Sequence, residues 1–191
     1  RWMAANLFLQ SGDLEKALPH FSYILAHYPN QSSPVYDVLE KAVGDSDFVL
    51  ERIVPKDRSS FRQYLSHLYE MGDRDSVRKA WAERLSFGFR ADRGETVRYM
   101  EFLISQGEIN EAFQVWKTRL QEEGFSPLTE TDLIVNGDFE KDGILGGGFD
   151  WKIGKASGTE ISFDPSIASE GKRSLKIVFT GKENVDFHHT Y

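Results

Sequence analysis

Apolar residues recur at a helical period through roughly the first two thirds of the chain. Phe61, Tyr64, Leu65 and Leu68 make one stripe and Tyr99, Met100, Leu103 and Ile104 another, the spacing at which side chains share one helix face. From about residue 131 the pattern changes to short β-branched or aromatic runs bounded by Gly, Asn and Asp, which predict strands. The predicted strands are Leu133-Ile134-Val135, Phe149-Asp150-Trp151-Lys152-Ile153, 160–163, 174–179 and Val185-Asp186-Phe187. Glycine marks the same change: seven fall in 1–128 and nine in the last 63 residues, including Gly146-Gly147-Gly148. The change at Ser126-Pro127 predicts two domains of an α+β chain, helical over 1–127 and β over 128–191.

The helical part repeats. Ser11-Gly12-Asp13, Met71-Gly72-Asp73 and Gln106-Gly107-Glu108 each set a glycine before an acidic residue. Five residues after the glycines stand Ala17, Val77 and Ala112, nine after stand Phe21, Trp81 and Trp116, and four before stand Phe8, Leu68 and Leu103. Glycine permits the left-handed turn that ends one helix, and an acidic residue caps the next. The small residue lets paired helices approach, and the aromatic fills the space between repeats. The glycines are 60 and then 35 residues apart, and the longer gap predicts a shorter, degenerate pair at 35–43 and 46–54, closed by Pro55. Pro19, inside the second helix of the first repeat, predicts a kink or a delayed helix start.

This pattern resembles the tetratricopeptide repeat. The first repeat carries Ala5, Phe8, Gly12, Ala17, Phe21 and Pro29 in that family's register. The later repeats lack the closing proline and have Phe89 and Gly124 near its place. The resemblance implies a right-handed α-α superhelix whose concave groove, lined by the first helix of each pair, binds a protein or peptide. Asn6, Arg62 and Tyr69 are its candidate groove residues. The family's mode of clamping a C-terminal carboxylate is not expected here, because the third repeat places Val97 and Glu101 where that clamp would stand.

The run Leu133-Ile134-Val135-Asn136-Gly137-Asp138-Phe139-Glu140, followed by Phe149-Asp150-Trp151 and by Ser169-Glu170-Gly171-Lys172-Arg173-Ser174-Leu175, resembles the opening of galactose-binding-like jelly rolls. These β-sandwiches include many carbohydrate-binding modules. The resemblance implies Trp151 as a sugar-stacking platform or a core tryptophan. It also implies a structural calcium held partly by Glu140, with the Lys172 carbonyl as helper, or a Glu140 that hydrogen-bonds the turn. Such modules use about twice the ~60 residues present here to close two sheets. The module thus reads as truncated, with an open edge that packs on the last helix pair or pairs with a second copy as a homodimer.

Composition narrows the functions. With 23 Lys+Arg against 30 Asp+Glu, a net charge of -7, the chain has no cationic surplus for a nucleic-acid backbone. The acidic excess holds on both sides of the boundary, 16 basic against 19 acidic residues before 128 and 7 against 11 after. No apolar run approaches the ~20 residues of a membrane span. The absence of cysteine removes thiolate chemistry and fits cytoplasm and periplasm equally. Arg1-Trp2-Met3-Ala4 reads as a helix interior rather than a native start.

No nucleophile elbow, zinc-protease motif or phosphate loop occurs. The glycine run 143–148 precedes a strand rather than the helix that a dinucleotide needs. Asp45/Asp47 and Glu122/Glu123 read as solvated helix ends, and His188-His189 alternate faces on a strand, which disfavours joint metal ligation. The expectation is a scaffold without catalytic function or obligatory cofactor. Its helices would hold a protein, its sandwich would meet a polysaccharide, and proteins of this build resemble bacterial envelope or exopolysaccharide components. The alternatives are a β module that only caps the helices, and a fragment of a larger glycan-active enzyme.

Overall fold

The computed structural model describes residues 1–125, 135–141, 147–151, 157–182 and 185. Among these are eight α-helices followed by a two-stranded antiparallel sheet, so the chain is α+β with helix predominant. It divides into two compact units, Arg1–Ala91 and Asp92–Tyr191. The last helix pair therefore belongs to the same unit as the glycine-rich segment, although helical composition persists to Ser126-Pro127.

The first unit contains α1 (Trp2–Gln10), α2 (Leu14–His27), a 3-10 turn (Pro29–Gln31), α3 (Ser32–Val43), α4 (Ser46–Arg52), α5 (Arg58–Met71) and α6 (Arg74–Ser86). The degenerate pair falls where the sequence places it, α3 beginning one turn earlier. The corners follow from residue type. Gly12, at φ 77°, lets the Asp13 amide turn back and donate to the Phe8 carbonyl at 2.9 Å. The Asp13 and Asp73 carboxylates then accept the amides of Lys16 and Ser76, so each caps the next helix. α1 packs on α2, and α5 on α6; α3 packs against α2, α4 and α5, and α4 against α6. Ala17, Phe21, Leu68, Val77 and Trp81 are all buried in this array.

Two details depart from the sequence reading. α2 starts at Leu14 and runs through Pro19, so the helix start is not delayed; the missing N–H leaves the Glu15 carbonyl without its helical partner. In place of a closing proline, Gly88, at φ 77°, stands just beyond the end of α6, and Phe89 donates its amide to the Arg84 carbonyl at 3.2 Å. Phe87 and Phe89 then pack against the buried Phe61 ring, at 6.0 and 6.1 Å between centroids.

The second unit opens with α7 (Arg93–Ser105), whose start is locked by a reciprocal capping box between Asp92 and Glu95. Gly107, at φ 79°, leads to α8 (Ile109–Glu122). Glu108 precedes α8 without a side-chain cap bond, a correction to the capping expectation that reflects the poor fit of the longer glutamate. Met100, Trp116 and Leu120 form the buried centre of this unit, with Val97, Phe113, Phe125, Val135 and Phe149 packed against it.

Strands β1 (Thr159–Asp164) and β2 (Ser174–Phe179) pair antiparallel, with Ile161 opposite Ile177 and Phe163 opposite Leu175. These four side chains share one face and are partly buried, while Glu160, Ser162, Lys176 and Val178 are exposed on the other. The described part of the predicted 149–153 strand is a turn. Asp150 is buried there and accepts the amide of Trp151 at 2.8 Å, taking a donor that a strand ladder would use. Val135 likewise lies in a turn, 135–138. Residues 133, 134, 152, 153, 186–189 and most of the glycine run 143–148 lie outside the described residues.

Candidate functional site

The candidate groove residues sit on α1 and α5. Asn6 is half-buried and donates from Nδ2 to the Trp2 carbonyl at 2.9 Å, one turn back along its own helix. Arg62 is exposed and Tyr69 half-buried; seven residues apart, they share one face of α5. In the second unit, the face of α7 that carries Val97 and Glu101 is met by the chain's own backbone. A Cβ on Gly147 would stand 2.5 Å from Val97 Cγ1 and 3.2 Å from Glu101 Oε1, and one on Gly148 2.9 Å from Met100 Cε. Only glycine lets the segment lie this close. Beside it Phe149 packs on Phe113 and Trp116, at 5.5 and 5.6 Å between centroids.

Trp151 is half-buried, and its indole N–H donates to the Val135 carbonyl at 2.9 Å. Its ring lies 5.2 Å from Phe139, which lies 6.3 Å from Phe163, and the Arg173 guanidinium covers Phe163 at 4.3 Å. Trp151 is thus one end of an aromatic row fastened at its polar edge.

Glu140 holds the turn that precedes β2. Its Oε1 accepts the backbone amides of Lys172 at 2.5 Å and Arg173 at 3.1 Å. Arg173 Nε donates to the Phe139 carbonyl at 2.6 Å. A Cβ on Gly171 would collide with the Glu140 carboxylate, and Gly171 has φ +81°, so this turn needs glycine on two counts. Among the described residues the Glu140 carboxylate meets backbone N–H donors, where a calcium shell needs six to eight oxygens. The donor set does not fit that ion. Among the described residues no group of three or more His, Asp or Glu side chains is placed to hold a metal.

The first unit holds a further cavity that sequence reasoning did not reach. It has a volume of about 290 Å³ and lies between α3, α4 and α5 and the start of α6. Tyr36, Leu39, Val49, Tyr64, His67 and Met71 give its apolar and aromatic lining, and Glu40, Asp45 and Asp73 its carboxylates. Two glycine corners shape it. Gly44, at φ 67°, ends α3, and the Asp45 carboxylate accepts the Phe48 amide at 3.0 Å; Gly72-Asp73 repeats this at the start of α6. The corners are tied by Ser46, whose Oγ donates to Asp73 Oδ2 at 3.4 Å and whose carbonyl accepts the Tyr64 hydroxyl at 2.7 Å.

Tyr36 lies against Tyr64 and His67, at 5.1 and 5.2 Å between ring centroids. It is 1% exposed, and its hydroxyl has no hydrogen-bond partner among the described residues. Burial, then the Tyr64 phenol and the Asp57 carboxylate, push the Tyr36 hydroxyl above the ordinary tyrosine range. Burial raises Tyr64 as well, against the lowering effect of its bond to Ser46. Both phenols therefore stay neutral. The legible signal was Gly44-Asp45, which repeats the Gly-Asp rule of the longer repeats inside the degenerate pair.

Comparison with protein-family models, curated proteins and solved structures finds no match to this chain. Among the described residues no helix is long and apolar enough to cross a membrane.

Proposed function

We propose that the chain is a non-enzymatic interaction scaffold of tetratricopeptide-like helix pairs, which holds a protein or peptide partner on the first helices of its early repeats. The carrying observation is the recurring corner, a left-handed glycine followed by a capping aspartate at Gly12-Asp13, Gly44-Asp45 and Gly72-Asp73. Such corners fold consecutive helices into pairs, α3 packs on both α2 and α5, and a stack of pairs exposes a continuous face. In a right-handed superhelix of this kind, Asn6, Arg62 and Tyr69 line the concave side.

The resemblance to galactose-binding-like jelly rolls gives the β segment a polysaccharide-binding reading. A capping role has the more specific support. Gly147, Gly148 and Phe149 lie on α7 and α8, and Trp151 spends its indole N–H on Val135. We therefore favour a β segment that covers the last helix pair and leaves binding to the helices.

A glycan array and a displayed random-peptide library, both screened with the whole chain, separate the readings. The expected result is peptide binders whose affinity falls at least tenfold in Arg62→Glu, and no glycan signal with or without calcium. A glycan signal that Trp151→Ala abolishes would return the β segment to its carbohydrate-binding reading. Peptide binding unmoved by Arg62→Glu would remove the groove.

A further inference from the structure

The cavity between α3, α4 and α5 is placed away from the proposed groove. At about 100° per residue, Tyr64, His67 and Met71 point from α5 on the side opposite Arg62 and Tyr69. The cavity is formed within the first unit alone, whatever the groove binds. About 290 Å³ is at the lower end of small-ligand clefts, which run from roughly 300 to 1,000 Å³. That size suits one side-chain-sized group.

The lining specifies which group. Glu40, Asp45 and Asp73 contribute three carboxylates, and among the described residues the lining holds no Lys or Arg. Its one basic side chain, His67, stands with Nε2 4.0 Å from Glu40 Oε2. Asp45 and Asp73 each give one oxygen to a helix cap and Asp73 Oδ2 also accepts the Ser46 hydroxyl, but each carboxylate oxygen has a lone pair beyond one such bond. The neutral phenol of Tyr36 is buried and lacks a partner among the described residues; a ligand N–H would supply one and relieve the penalty of an unmatched buried polar group. Aromatic faces at Tyr36 and Tyr64 attract a cation through their ring quadrupoles.

We propose that this cavity binds an organic cation, the guanidinium or ammonium of an arginine or lysine side chain. The cation lies against the Tyr36 and Tyr64 rings, donates to the Tyr36 hydroxyl, and is neutralised by Glu40, Asp45 and Asp73.

Calorimetric titration of the whole chain with the N-acetyl amides of arginine, lysine and citrulline tests this. Citrulline keeps the shape of arginine without its charge. At least one cationic amide should bind saturably, at least tenfold tighter than citrulline amide, and the pair of cations tells guanidinium from ammonium. Binding should fall at least tenfold in the triple variant Glu40→Gln, Asp45→Asn and Asp73→Asn, where asparagine keeps both caps. Tyr36→Phe, which leaves every charge in place, should weaken binding severalfold and serves if the triple variant does not fold. The Met71 methyl resonance should shift on titration and locate the ligand. Equal binding of citrulline, no binding of either cation, or full binding by a folded variant overturns the proposal.

Discussion

Trp116 is 1% exposed, touches Phe113 and Phe149, and has an indole N–H without a partner among the described residues. Trp116→Ala should destabilise by about 3–5 kcal/mol, as for a large aromatic lost from a core. Trp116→Phe should cost clearly less, since it keeps a ring and removes an unsatisfied donor; denaturant melts of the two variants check both. Positions of this kind were legible because a repeat presents them three times in phase. The approach of Gly147 to Val97 was not. It joins residues far apart in sequence, and the glycine run has no periodicity that names what it touches. Trp151 shows a local signal misleading in another way. The run from Phe149 alternates like a strand, but Asp150 satisfies the next amide itself.

At the scale of elements, helix boundaries were the most legible feature, since a left-handed glycine and a capping aspartate are both local requirements. The β1–β2 hairpin was legible for the same reason, its apolar positions alternating across one face. Its loop is held by Asp164, whose carboxylate accepts the side chain and amide of Ser166 and pairs with Lys176 at 3.1 Å. Those hydrogen bonds, the Ser166 hydroxyl first, hold its pKa down at about 2. A carboxyl lowered on folding adds stability above its unfolded pKa of ~3.9, and that contribution fades as pH falls through the folded value. The Asp164 carbon resonance should accordingly titrate near pH 2. Asp164→Asn should flatten the acid dependence of hairpin amide protection between about pH 4 and 2; an unchanged profile would remove Asp164 as its source. The cavity escaped the sequence because α3, α4 and α5 give it only two or three residues each and the start of α6 one, and only their packing brings Tyr36 beside His67.

The whole molecule consists of two compact units, with tryptophans in both: Trp2 and Trp81 before Ala91, Trp116 and Trp151 after Asp92. Two units with separate cores should melt in two steps. Trp116→Ala should then lower only the transition reported by Trp151, leaving Trp81 fluorescence loss where it was; scanning calorimetry with single-tryptophan variants resolves this. A single transition that the mutation shifts as a whole would mean that the units unfold together.

Glu140 bears on the order in which the second unit assembles. It bonds to partners 32 and 33 positions along the chain, whereas α7 meets α8 across a short corner. Closing a flexible loop of that length costs about 3 kcal/mol beyond a constant, and contacts of long sequence separation form slowly. The helical hairpin can close before that entropy is spent, and the Glu140 clasp only after it. The β segment is thus placed to arrive last in folding, with α7 and α8 already there as its template.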